Sequence, residues 1–256
     1  MLTIDGTLAD GWGANITIKG REIDATILFS DITSFSSRTQ DLSPAEMLIY
    51  VQHFFTWATA EALQNTNGII DKYIGDEFMI LFSKEFGSDD PFEEAIVTGR
   101  RMSDMDAYMF CPHVGIASGR VIVGHVGTAL RYNTSVFGAP VALAARCASI
   151  KPERKENEQV TTSIVFPASE WGDRDLNKIY EPRRYKNPDG NVYEMPHSWT
   201  LREPRTVPIK NLPDLEIREI VNRVYHLPQN PPENWAKMAL KVLEEGNRYW
   251  PHISKI

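Results

Sequence analysis

From Ala25 onward apolar and polar residues follow a regular order. Ala25-Thr-Ile-Leu-Phe-Ser-Asp31 is an apolar run closed by an acid, which predicts a buried strand. Ser43-Pro44-Ala45-Glu46 then carries a capping box with proline at the first helical position. Met47, Tyr50, Val51, Phe54, Phe55, Ala58 and Ala62 follow at helical spacing, and Asn67-Gly68 ends the helix. Ile69 to Ile74 and Phe78 to Phe82 flank Gly75-Asp76-Glu77 and predict a hairpin. A second helix is expected from Pro91 to about Tyr108. A strand pair, His113 to Ser118 and Val121 to Val126, is expected to turn at Gly119, and a third helix to run from Pro140 to Ile150. Strand, helix, hairpin, helix, hairpin, helix is an α+β order, with helices expected on one face of a mainly antiparallel sheet.

After Lys151 the pattern weakens. Residues 151–159 read as a charged loop and Val160 to Phe166 as a strand. A hairpin is expected around Asp189-Gly190, and a strand–turn–strand from Val207 to Val221. Trp235 to Tyr249 reads as an amphipathic helix.

The chain has 256 residues, of which 42% are apolar, enough for a sizeable core. Its net charge of −7 makes a nucleic-acid partner a poor expectation, since phosphate backbones are held by an excess of Lys and Arg. Cys111 and Cys147 form no CxxC pair, and the six histidines show no HxxxH or HExxH spacing, so neither a disulfide framework nor zinc is expected. The first residues lack the pattern of a signal peptide, and no apolar run approaches the ~20 residues of a membrane span. A cytoplasmic address with no membrane partner is therefore expected.

Two acids carry the strongest chemical signal. Asp31 ends the first strand and Asp76 sits in the next hairpin turn, so both can reach one end of one sheet. Two carboxylates brought together repel unless a cation lies between them. Oxygen-only ligation suits Mg²⁺ or Mn²⁺, and two such ions are a known device for phosphoryl chemistry. The polar stretch Ile32-Thr33-Ser34-Phe35-Ser36-Ser37 offers backbone N–H groups to phosphate oxygens. Taken singly, either acid also reads as an ordinary strand-end or turn residue.

ATILFSDITSFSS, IIDKYIGDEFMILF, VGIASGRVIVGHVGT and VFGAPVALAARCASI, in this order, resemble the catalytic domain of class III adenylate/guanylate cyclases. A fainter match covers Val207 to Val221. The resemblance implies a ferredoxin-like βαββαβ sandwich with extra C-terminal strands and helix, placed at 23–225, with a lead-in at 1–22 and a helical extension at 226–256. It also implies a homodimer with shared active sites that cyclises a nucleoside triphosphate. Asp31, Asp76 and the Ile32 carbonyl would hold two ions, Phe35 and Ser36 would lie by the substrate, and Arg120, Arg146 and Lys210 would neutralise phosphate charge. Lys72 and Ser135 would read the base. A lysine ammonium only donates hydrogen bonds, so it suits an acceptor such as adenine N1 or a uracil carbonyl.

One position departs from the family. Four residues before Arg146, where asparagine is usual, stands Ala142, and a missing donor there costs ~10²–10³ in rate if nothing replaces it. As a compact, divergent cyclase the chain is most similar to the Pycsar-type uridylate cyclases of bacterial antiphage signalling. That similarity implies UTP as substrate, cyclic UMP as messenger and a separate effector that reads it. Tyr50 is the candidate wedge that narrows the pocket against a purine, although its helical spacing equally makes it a core residue. The alternatives are an adenylate cyclase acting on ATP and a non-catalytic cyclase-like nucleotide-binding module; a polymerase-palm nucleotidyltransferase fits less well.

Overall fold

In the computed structural model the described residues are 2–4, 18–104, 110–128, 131–153, 160–186, 189–195, 197–209, 213–223 and 235–246. The strands are β1 (Leu2–Ile4), β2 (Ile18–Asp31), β3 (Ile69–Ile74), β4 (Glu77–Phe82), β5 (His113–Thr128), β6 (Arg131–Phe137), β7 (Val160–Pro167), β8 (Arg183–Lys186), β9 (Val192–Met195), β10 (Trp199–Leu201), β11 (Arg205–Val207) and β12 (Leu215–Arg223). The α-helices are α1 (Phe35–Thr39), α2 (Pro44–Ala62), α3 (Pro91–Asp104), α4 (Ala139–Ser149), α5 (Leu176–Ile179) and α6 (Trp235–Gly246). The main sheet runs β10-β12-β7-β5-β2-β4-β3, with β1 added to β2, β6 to β5 and β11 to β12. Every pairing in it is antiparallel except β5 with β7. This is the expected α+β fold.

Local chemistry sets the elements as the sequence predicts. The Ser43 hydroxyl accepts from Glu46 N at 3.3 Å and Ser43 N donates to the Glu46 carboxylate at 2.8 Å, which closes the capping box of α2. Tyr50, Phe54, Trp57 and Ala58 on this helix are buried against Leu28, Phe78 and Ile80 of the sheet. Each large side chain so buried stabilises the fold by about 1.5–3 kcal/mol.

Two expectations are corrected. The helices do not share one face. Residues α2, α3 and α6 supply pack with Leu28 and Ile80, whereas Ala144 and Ala148 of α4 pack with Ile27, Phe29 and Met79 on the other side. A central strand buried on both faces reads as a continuous apolar run, and such a run cannot say which face a helix takes. Gly115 makes the second face accessible: a Cβ there would lie 2.1 Å from the Ala144 carbonyl oxygen. Nor is there a turn at Gly119. β5 is one strand that pairs with β2 without a break from Gly20↔Gly124 to Asp31↔His113. Gly119, at φ 151°, is the place where β5 passes under Pro140, whose Cγ would lie 3.0 Å from an added Cβ. Its glycine records a close approach of α4, which in sequence looks like a turn signal.

β6, which the sequence reading did not separate, pairs with the second half of β5. The charged stretch 154–159 and residues 105–109 lie outside the described residues, and so does Lys210. No helix among the described residues is long and apolar enough to cross a membrane.

Candidate functional site

Asp31 is the last residue of β2. Its neighbour Ser30 pairs with Phe78 of β4, so the next step of the antiparallel register sets Glu77 across from Asp31, with Asp76 beside it in the β3–β4 turn. The structure thus brings together two acids placed 45 positions apart in the sequence, and adds a third. On its other side Asp31 pairs with His113 of β5.

The electrostatics of this corner are unfavourable as it stands. Burial pushes the Asp31 carboxyl up to about 7, and the Glu77 and Asp76 charges push it the same way. Burial also raises Asp76 and Glu77, and Asp76 adds to the shift of Glu77. Oδ1 of Asp31 is shut off from solvent and makes no hydrogen bond. A buried carboxylate oxygen facing two like charges is chemically suited to a cation, and carboxylate ligands suit a hard divalent ion. Among the described residues no group of three or more His, Cys, Asp or Glu is arranged as a complete metal cage. An ion held by Asp31 and Asp76 would therefore draw further ligands from water or a bound phosphate.

The loop after β2 turns tightly. The Ile32 carbonyl accepts from Phe35 N at 3.2 Å, and Ser34 caps α1 in the left-handed region at φ 56°. Thr33 donates to the Cys111 carbonyl and Arg38 Nη1 to the Phe110 carbonyl at 3.0 Å, which stitch this loop to the start of β5. Ser36 is exposed, but the Phe35 side chain packs against the core, and its backbone N–H and carbonyl bond to Ile32 and Thr39. Burial lowers His113 to about 4, and the Arg38 and Lys151 charges act in the same direction. The Arg38 and Lys151 charges thus act on His113, while neither acts on the carboxyls of Asp31, Asp76 or Glu77.

Arg120 does not lie at this corner. It pairs with Asp24, seven residues along β5 from His113, or roughly 23 Å of strand at about 3.3 Å per residue. Its guanidinium is exposed, 4.0 Å from the Asp24 carboxylate. The expectation that Arg120 meets the phosphates from the side of Asp31 is corrected on this geometry. Tyr50 is corrected as well: it is 0% exposed, with its ring centroid 5.1 Å from that of Phe110, so it fills the core under α2. The helical spacing that suggested a core residue was the better guide.

Lys72 and Ser135 do meet. The Lys72 ammonium donates to Ser135 Oγ across 63 positions of sequence. Both line a cavity of about 650 Å³ with Asp71, Asn133, Thr134 and Phe137. On α4, Ala142 and Arg146 lie one helical turn apart, both exposed, so they point away from the sheet that Ala144 and Ala148 cover.

Glu77, His113, Arg38 and Lys151 were missed by sequence reasoning. Glu77 was legible, since it shares a face with Met79 and Leu81 on the strand leaving the turn. Arg38 and Lys151 carry no local signal, because only the tertiary register brings them near β5.

Comparison with known proteins places this geometry in context. The profile of the family described as "Adenylate and Guanylate cyclase catalytic domain" matches residues 19–164. An uncharacterised protein of Mycobacterium tuberculosis, Rv1319c, is 26% identical over 157 residues, covering 60% of this chain and 29% of its own length. This chain thus spans less than a third of such relatives. Two solved structures share the fold. The guanylyl cyclase Cya2 aligns with a TM-score of 0.54 at 21% identity, covering 82% of this chain and 97% of its own. The adenylyl cyclase CyaB from P. aeruginosa aligns with a TM-score of 0.55 at 18% identity, covering 82% and 100%.

Proposed function

We propose, for a chain that belongs to the adenylate and guanylate cyclase catalytic domain family, that it converts UTP to 3′,5′-cyclic UMP and pyrophosphate. The reading extends to a homodimer with shared sites in residues 23–225, and to cyclic UMP as a messenger in bacterial antiphage defence read by a separate effector. The observation that carries the enzymatic part is the meeting of Asp31 and Asp76 at one buried sheet end, with an Asp31 oxygen left without a hydrogen bond. A purely structural corner gains nothing from repelling acids. A cyclase needs them.

In this mechanism the ribose 3′-oxygen attacks the α-phosphorus in line. The new O3′–P bond forms as the bond to the β-phosphate oxygen breaks, and the 3′-hydroxyl proton leaves to solvent. Asp31 and Asp76 would hold Mg²⁺ or Mn²⁺, which supplies Lewis acidity at the attacking oxygen and the phosphates. Arg38 and Lys151, whose charges act on His113, are the candidates to balance phosphate charge on that side. Arg146 on the open side of α4 serves the site of a second copy. Lys210 completes the charge set in the family resemblance. No covalent intermediate is required.

Two features support the dimer: β3 is the last strand of the sheet, and Tyr73 and Ile74 on it are about half exposed. The base is read at Lys72 and Ser135. Because Ser135 Oγ accepts from Lys72, its own proton is left to donate, so both residues offer hydrogen to a base. Uracil answers with two carbonyl oxygens. ATP is the second reading, and a specific observation favours it: Tyr50 is in the core, so nothing on α2 excludes a purine from a cavity of about 650 Å³.

The deciding assay offers all four ribonucleoside triphosphates together with Mn²⁺ and identifies cyclic products by mass. Cyclic UMP is expected as the main product, and none should form with Asp76→Ala. Cyclic AMP as the main product would replace UTP by ATP. Nucleotide binding with no pyrophosphate released would leave a non-catalytic module.

A further inference from the structure

Strand β3 carries an irregularity beside the base-reading lysine. Ile70 pairs with Ile80 and Lys72 with Met79, so Asp71 is an extra residue, a bulge with no partner of its own on β4. Bulges re-aim side chains. Here the bulge sets Asp71 and Lys72 on the same cavity wall, where a regular strand would send successive side chains to opposite faces.

The hydrogen-bond accounting at this wall is incomplete. The Asp71 side chain is only 9% exposed, and its Oδ2 lies 3.0 Å from the Lys72 ammonium. That approach is an ion pair without hydrogen-bond geometry, and Oδ2 is closed to solvent with no hydrogen bond at all. Lys72 spends one N–H on Ser135. The wall therefore holds spare donors on Lys72 and Ser135 and one buried acceptor, Asp71 Oδ2, that meets Lys72 as an ion pair and accepts no hydrogen bond. A buried acceptor left unmade is costly. A ligand that brings an N–H next to a hydrogen-bond acceptor removes the cost, and the Watson–Crick edge of a nucleobase has that pattern.

We infer that Asp71 is a specificity-determining residue: its carboxylate fixes the direction of the Lys72 ammonium and accepts a hydrogen bond from an N–H of the substrate base. In the uridine reading, on which this assignment rests, the N–H is N3–H and the neighbouring carbonyl oxygen takes Lys72. Lys72 and Ser135 alone supply donors only, and any base presents acceptors to them. Two donors and one acceptor on the wall match an edge with two acceptors and one N–H, as in uracil, and mismatch guanine, with one acceptor and two donors, and adenine, with one of each.

The test measures binding of UTP, ATP, GTP and CTP to the full chain with Ca²⁺, and kcat and KM for each with Mn²⁺. Asp71→Ala should weaken the preferred nucleotide about tenfold, the size of one lost hydrogen bond to a charged group. It should also narrow the preference among the four bases, with kcat for the preferred one changed less than KM. Asp71→Asn, which keeps the shape and an acceptor oxygen, should retain part of the preference. A purely structural Asp71 would lower thermal stability and leave the ratios between bases where they were; unchanged ratios in both variants overturn the inference. Base-selective binding without turnover would remove the cyclase reading while still scoring Asp71, and absence of all nucleotide binding would overturn both.

Discussion

Two buried acids in this protein are treated in opposite ways. Glu219 on β12 is 1% exposed and lies between two arginines: Arg205 Nη2 donates to Oε1 at 2.6 Å and Arg202 Nη1 to Oε2 at 3.4 Å. The same arginines reach back to the carbonyls of Glu153 and Lys151. They tie the C-terminal strands to the segment leaving α4. Asp31, also largely buried, has Glu77 and Asp76 for neighbours and an oxygen with no hydrogen bond. Glu219 shows what this fold does with a carboxylate that serves the structure. By that standard the corner at Asp31 lacks a counter-charge, which the divalent ion of the proposed function would supply.

The largest expected effect follows from that contrast. Asp31→Asn should lower cyclase turnover by ~10³-fold or more, since metal-held charge stabilisation amounts to several kcal/mol. It should also stabilise the metal-free protein. The sign follows from linkage: a carboxyl raised from 3.8 to about 7 keeps its proton in the native state where the unfolded chain has lost it. Stability therefore falls as pH rises through that window. Removing the charge relieves a cost on the order of 4 kcal/mol at pH 8, which is roughly ten degrees of Tm for a chain of this size. Mn²⁺ should raise the Tm of the wild type by mass action and leave the variant where it is. A variant that melts lower than the wild type in chelator at pH 8 would contradict this account.

Glu219→Gln should behave in the reverse sense. Breaking a buried ion pair from one side costs about 3–5 kcal/mol, because two arginines then lose their counter-charge. Denaturant unfolding should show the loss, while kcat of the protein that remains folded stays within a few-fold. If turnover falls and stability holds, Glu219 belongs to the site and the contrast fails.

These two acids also mark how far the sequence could be read. The pairing of Asp31 with Asp76 was legible, because a strand ending in an acid and a hairpin turn bearing one are local patterns that the fold order carries to a common edge. The capping box and the α2 stripe were legible for the same reason. Glu219 was not: it sits in a strand of ordinary alternation, and its arginines, one just after β10 and one opening β11, meet it only in the assembled sheet. The face taken by α4 was hidden because β2 is apolar on both sides, and Gly119 misled because a close helix approach and a turn ask for the same residue. Asp71 was visible as a letter, but a one-residue bulge cannot be read from a run that pairs plausibly in either register.

The smallest expected effect tests where the phosphate charge is met. Arg120 was expected beside the acids, and the register of β2 with β5 sets it seven residues away, exposed and loosely paired with Asp24 at 4.0 Å. A surface pair of this kind is worth about 0–1 kcal/mol. Arg120→Ala should therefore change kcat/KM less than about twofold and Tm by a degree or so. Arg38 is anchored by its bond to the Phe110 carbonyl next to the strand that meets Asp31, and Arg38→Ala should raise KM about tenfold through loss of a charged contact to the triphosphate. The two arginines look alike in sequence, each following a short polar stretch, but Arg120 lies within β5 and Arg38 within α1. If kinetics ranks them the other way, the triphosphate lies along β5 toward Asp24, and the acid corner does not hold it.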